Sequence, residues 1–155
     1  MPWYVLYTKP KAEKEVTKSL EALGINVFCP LITEIRQWSD RKKKVSVPLF
    51  KSYVFVNLEE SERDRVFLVN GIVRYLFWLG KPAVVKDEEI KVIKDWLGRE
   101  DLEEMRISKY APGDKIILEE GAFKNQEAMV KEVGKNRMRL VLSNLGFIIN
   151  IKMKI

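Results

Sequence analysis

Pro48-Leu49-Phe50-Lys51-Ser52-Tyr53-Val54-Phe55-Val56-Asn57-Leu58 reads as a turn that delivers the chain into an interior strand, and the fold is decided there. Proline, lysine and serine keep the first five residues irregular. From Tyr53 to Leu58 every residue but Asn57 is aromatic or aliphatic, as in a strand covered on both faces. Alternation puts Tyr53 and Phe55 on one face and Val54 and Val56 on the other, and three layers would hide both. Trp3-Tyr4-Val5-Leu6-Tyr7-Thr8 has the same texture and is ended by Lys9-Pro10, so it is expected as a second buried strand.

Between these strands, Ala12, Val16, Leu20 and Leu23 recur at helical spacing, with Lys11, Lys14 and Lys18 off that stripe and Gly24 as a stop. One amphipathic helix with a basic outer face is expected. Ile25 to Gln37 reads as a strand that becomes exposed towards its end, Trp38 to Lys44 as a basic hairpin tip, and Val45-Ser46-Val47 as the returning strand. Further on, Ser61 is placed to cap a short helix through Val69, with Asn70-Gly71 as a left-handed exit before a strand over Ile72 to Trp78. Asp87 is placed to cap a helix carrying Ile90, Ile93 and Leu97 on one face and ending at Gly98. Residues 99–109 are mostly charged and lack a clean apolar period, which predicts a linker. Beyond them Pro112-Gly113-Asp114, Glu119-Glu120-Gly121, Gly134-Lys135-Asn136 and Asn144-Leu145-Gly146 punctuate short runs, the pattern of a small all-β barrel.

Composition removes several classes of function. Hydrophobic residues at 46% with 32% charged residues describe a chain that folds on a packed core. Histidine is absent, which takes away the usual general base, the commonest metal ligand and any Ser-His-Asp or Cys-His site. A single cysteine, Cys29, allows no intramolecular disulfide and no thiolate zinc cluster, and is expected as an inert packed side chain. No leader or membrane-spanning run is seen, so a cytoplasmic location is expected. The net charge of +6 is uneven: ten Lys and Arg stand against seven Asp and Glu in residues 1–60, ten against ten in 61–109, and eight against five in 110–155. The two basic outer parts favour a polyanionic partner.

From Pro112 to Gly146 the chain resembles the KOW motif of SH3-like barrels found in transcription and ribosomal proteins. The matching residues are Gly113-Asp114, Ile116, Leu118, Gly121-Ala122-Phe123, Val130, Val133 and Arg139-Leu140-Val141-Leu142, with Ala122 standing where that family usually has proline. The first hundred residues resemble the NGN domain of the NusG family of transcription elongation and antitermination factors. That likeness rests on Trp3 to Pro10, the helix after it, Pro48 to Val56 and Gly80-Lys81-Pro82-Ala83-Val84-Val85. The implied fold is α+β: an NGN-type α/β sandwich with a four-stranded, mainly antiparallel sheet over 1–98, a linker over 99–109, and a small SH3-like KOW β-barrel over 110–155. Pro48 to Phe55 looks more like operon-specialised paralogues, such as RfaH and the UpxY antiterminators, than like the general factor.

The resemblance implies a transcription elongation or antitermination factor, not an enzyme, working as a monomer without cofactor or metal. It implies an apolar patch of Tyr7, Phe50, Tyr53, Phe55 and one or other of Phe77 and Trp78 that binds the coiled coil of the RNA polymerase β′ subunit, with the β subunit as a further contact, and suppresses pausing or termination. Aromatic anchors of this kind dominate binding energy, whereas Trp3, Tyr4 and Val54 are expected in the core. Lys9, Lys11, Lys14 and Lys18 with Arg41, Lys42, Lys43 and Lys44 are expected to meet phosphates of the non-template strand or upstream duplex, and Trp38 to stack on a base. Gly113, Asp114, Gly121 and Phe123 would shape the barrel, which would recruit a ribosome or a termination factor. The barrel is expected as the resting state, although specialised members of the family carry a helical hairpin there that masks the patch. A ribosome-associated RNA-binding KOW protein is the alternative reading. A nucleic-acid enzyme would need converging carboxylates for metal ions, which the sequence does not show.

Overall fold

The computed structural model describes residues 1–109, the backbone of 130–134, and residues 136–142 and 145–154. Strand β1 (Trp3–Thr8) leads through a corner into helix α1 (Glu13–Ala22), followed by β2 (Asn26–Phe28), β3 (Leu31–Trp38), β4 (Arg41–Pro48) and β5 (Tyr53–Asn57). A 3-10 helix (Glu60–Leu68) precedes β6 (Ile72–Tyr75), β7 (Phe77–Trp78), β8 (Lys81–Pro82) and β9 (Val84–Val85). Helix α2 (Asp87–Leu97) then leads to β10 (Leu102–Lys109), β11 (Val130–Gly134), β12 (Arg137–Leu142) and β13 (Phe147–Met153).

The central sheet runs β2-β5-β1-β6, with β9 also paired to β1, and all its pairings are antiparallel. β1 and β5 lie side by side, Trp3 opposite Asn57 and Tyr7 opposite Tyr53. Their alternation serves two cores. Tyr4, Leu6, Val54 and Val56 pack with Val16 and Leu20 of α1, with Val66 of the 3-10 helix and with Val69 just after it. Trp3, Val5 and Phe55 pack on the other side with Ile90, Ile93 and Trp96 of α2 and with the C-terminal strands. Gly71 is needed under α1: its φ is 98°, and a Cβ there would lie 3.0 Å from Val16 Cγ2.

Several expected boundaries move for identifiable reasons. The strand read over Ile25 to Gln37 is split at Pro30, which has no N–H for a ladder; its carbonyl instead accepts the Leu49 N–H at 2.8 Å. Ser61 is no cap, because the 3-10 helix begins a residue earlier and Glu59 makes no side-chain capping bond. Asp87 is the first residue of α2 rather than its cap, and its carboxylate accepts the Trp3 indole N–H at 2.9 Å.

The stretch 99–109 departs most from expectation. Residues 102–109, expected within a linker, form β10, an edge strand of a second sheet in the order β10-β13-β12-β11. Met105 and Ile107 face the core while Glu104, Arg106 and Ser108 face out. That period of two is masked in the sequence by a register shift between Leu102 and Glu104. Among the described residues this second sheet is open, not closed into a barrel. Gly113, Asp114, Gly121 and Phe123 lie outside the described residues.

Glu89 is buried within the first turn of α2, where Oε1 accepts the Lys86 N–H at 2.9 Å. Burial pushes its carboxyl up from 4.5 to about 7, against the opposite pull of that hydrogen bond. Between those values the folded protein keeps a proton that the unfolded chain releases. Its stabilising effect is therefore complete below about pH 4.5 and is lost as pH rises through about 7. Glu89→Gln is expected to exceed the parent in stability by about 1–3 kcal/mol near pH 8 and to match it near pH 4. Denaturant midpoints at the two pH values check this, and a difference independent of pH would contradict it.

Candidate functional site

The six rings expected to form an exposed patch do not share one environment. Phe55 is fully enclosed and Phe50 is 2% exposed, so these two are core side chains. Tyr7, Tyr53 and Trp78 are half-buried, and Phe77 is open to solvent at 52%. The expected single water-facing cluster is therefore corrected, because the face of β5 that carries Tyr53 and Phe55 has a layer on it. Phe50 meets Phe55 edge-on at 5.2 Å between ring centroids and Phe147 at 5.7 Å, and Tyr53 meets Phe147 at 5.4 Å. Leu140, Leu142, Leu145 and Ile149 continue this cover.

Tyr7 and Tyr53 are neighbours at 5.5 Å, with the Arg74 guanidinium 5.7 Å from Tyr7 and the Lys109 ammonium 5.8 Å from Tyr53. A cleft of about 430 Å³ opens beside them, lined by Glu34, Phe50, Lys51, Tyr53, Lys109 and Phe147 among others. Lys109 and Phe147 were missed by sequence reasoning. Phe147 begins the run Phe147, Ile149, Ile151, Met153, whose alternation announces an inward face without saying which element that face meets.

The basic hairpin is longer and more regular than its expected tip. β3 and β4 pair along their whole length, with Ser39 and Asp40 as a two-residue turn, so Arg41 to Lys44 belong to a strand. Residues directly opposite share a face. Trp38, Arg41, Arg36 and Lys43 therefore lie on one face, and Gln37, Lys42, Ile35 and Lys44 on the other. Lys43 sits 5.3 Å from the centroid of the exposed Trp38 ring.

Among the helix lysines, Lys14 Nζ donates to the Ser46 carbonyl at 2.7 Å and so joins α1 to the base of the hairpin. Lys18 is exposed further along α1, and Lys9 and Lys11 are exposed at the β1–α1 corner. That corner is held by the Lys9 N–H to the Gly71 carbonyl at 2.8 Å and by the buried Glu13, whose Oε2 accepts the Ser52 N–H at 2.8 Å. Cys29 is half-buried, and burial pushes its thiol up, consistent with an inert role. Among the described residues no group of three or more Cys, Asp or Glu could hold a metal ion, and no helix is long and apolar enough to cross a membrane.

A family model described as "Transcription termination factor nusG" matches residues 1–94. The chain belongs to the NusG family. Its match spans α1, the hairpin and all six rings of this NusG-family chain. Among curated proteins the chain is similar to the transcription termination/antitermination protein NusG of Rickettsia felis, 24% identical over 161 residues, covering 93% of this chain and 82% of that one. It is similar also to the protein of that name from Chlamydia trachomatis, 26% identical over 157 residues and covering 93% and 86%. A solved structure described as "Domain interaction in Thermotoga maritima NusG" aligns over 99% of this chain and 93% of the other, at 22% identity and a TM-score of 0.44.

The division between enclosed and open rings has measurable consequences. Phe55→Ala is expected to lose about 3–5 kcal/mol of stability. Phe77→Ala, half in water already, should lose less than about 1 kcal/mol. Equilibrium unfolding in urea checks both, and equal losses would contradict the division.

Proposed function

We propose that this NusG-family protein is an elongation factor that docks on the coiled coil of the RNA polymerase β′ subunit and suppresses pausing or termination, in an operon-specialised role. Tyr7, Tyr53, Phe77 and Trp78 make the contact, Phe50 joins them, and Phe55 supports them from within the core. The observation that carries this reading is the family match over 1–94, which includes every one of these residues. Because Phe147 lies against Phe50 and Tyr53, full engagement requires the C-terminal strands to move off that face.

The hairpin and the α1 lysines meet the phosphates of the non-template strand or upstream duplex, with Trp38 stacking on a base. The exposed indole, the exposed cations around it and the Lys14 tie to Ser46 support this assignment. The C-terminal part over 110–155 is a KOW-type module that recruits a ribosome or a termination factor.

Capture of purified RNA polymerase tests the docking face. Tyr53→Ala, at a half-buried ring, is expected to weaken capture about tenfold or more, as removal of an aromatic hot spot does, while the unfolding midpoint moves little. Undiminished capture by a folded variant overturns the assignment. Lys42 and Lys43 lie on opposite faces of the hairpin. Single charge reversals at the two are therefore expected to reduce crosslinking to the non-template strand unequally, and unchanged crosslinking for both would remove DNA from the proposal.

A further inference from the structure

Strands β3 and β4 make a sheet of their own, and among the described residues no strand pairs with the outer edge of either. The two edges are not alike. β4 is blunted by the run Arg41 to Lys44 and by Pro48, since repeated charge and a missing N–H both oppose the addition of a strand. β3 has Glu34 and Arg36 as its charged residues, paired with each other at 3.6 Å, and is otherwise apolar or neutral. Register shows which backbone groups β3 offers. Trp38 and Arg41 are paired directly across the two-residue turn, so their N–H and C=O groups bond to each other. By alternation the groups of Glu34 and Arg36 also point towards β4, and those of Thr33, Ile35 and Gln37 point out from the open edge. Ile35 is 66% exposed there.

Set antiparallel to a second copy about Ile35, this edge is self-complementary. Ile35 then meets the partner's Ile35, Thr33 the partner's Gln37, Glu34 the partner's Arg36 and Ile32 the partner's Trp38. Opposite charges and apolar side chains directly across a ladder both stabilise it. The Glu34–Arg36 pair of each chain is kept, and the four charges alternate in sign. Neighbouring registers that still join outward-pointing backbone groups set Glu34 against Glu34 or Arg36 against Arg36, so the register about Ile35 is singled out. The same register brings the partner's Trp38 beside Ile32, where an open groove of about 500 Å³ lies between the base of β3, the end of α2 and β10. Leu31, Ile32, Leu97, Leu102 and Met105 give that groove apolar walls. In the single chain the Trp38 ring is 46% exposed, a large apolar surface left in water. We propose that the β3 edge pairs with β3 of a second copy of this chain, each copy seating its Trp38 in the other's groove. Seated there, Trp38 is withheld from a base, a consequence that rests on the DNA reading, whereas the pairing itself does not.

Sedimentation equilibrium of the full chain, from about 1 μM to about 1 mM, tests this. A reversible dimer dissociating in the micromolar range is expected, as for other small interfaces. Ile35→Lys sets like charges across the dyad and is expected to weaken pairing about tenfold or more. Because Ile35 is exposed, the melting temperature should not move. Polymerase capture should not change either, which keeps this outcome separate from that of the docking face. Glu34→Arg and Arg36→Glu, each alone, oppose like charges and are expected to be monomeric. An equimolar mixture of those two variants is expected to form a heterodimer, because position 34 of each chain then meets an opposite charge at position 36 of the other. Trp38→Ala is expected to weaken the dimer about tenfold, as loss of a seated aromatic ring does. A parent chain that stays monomeric throughout overturns the proposal. So does a dimer that Ile35→Lys or Trp38→Ala leaves intact, or a mixture in which the two charge variants stay apart.

Discussion

Ring contacts run in series from Phe28 to Phe55, from Phe55 to Phe50 and from Phe50 to Phe147, with centroids 5.2–5.9 Å apart. Edge strand β2, central strand β5, the turn before it and β13 of the second sheet are thereby held to one core. Phe55 is the ring on which this depends, since it is fully enclosed and touches both Phe28 and Phe50. Burial of a phenyl ring is worth about 1.5–3 kcal/mol in transfer alone, so a path of four such rings outweighs any exposed ion pair in the molecule, each worth about 0–1 kcal/mol.

Charge is arranged around that core rather than within it. Glu13 and Glu89 are the buried carboxylates among the described residues, and each accepts a backbone N–H at the entry to a turn or helix. Many of the cations are displayed on three surfaces: the helix α1 and its corner, the two faces of the β3–β4 hairpin, and the outer face of the second sheet. Lys14 couples the first two through Ser46. A two-stranded ribbon with cations on both faces has little to bury and extends away from the core, a shape suited to lying along a charged strand.

Much of the fold is legible in the sequence because alternation is local. Tyr53-Val54-Phe55-Val56 and Trp3 to Tyr7 declare two covered faces, and the 3.6-residue stripe of Ala12, Val16, Leu20 declares α1. β10 is not legible, because one register shift interrupts its alternation and its outward residues are charged. The split at Pro30 could have been read from the missing N–H. The site was harder. Which residues are aromatic is plain in the sequence, but whether Phe50 meets water or Phe147 depends on a contact between residues about a hundred positions apart, and no local pattern encodes that distance.

The central claim is that the C-terminal strands rest on the aromatic face of β5. Proton-proton Overhauser contacts between the Phe147 ring and the rings of Phe50 and Tyr53, recorded on the full chain with selectively labelled aromatics, test it most directly. Cross-peaks from Phe147 to both rings are predicted, since the centroids lie 5.4–5.7 Å apart. A Phe147 ring that shows contacts within its own sheet and none to either ring would contradict the account.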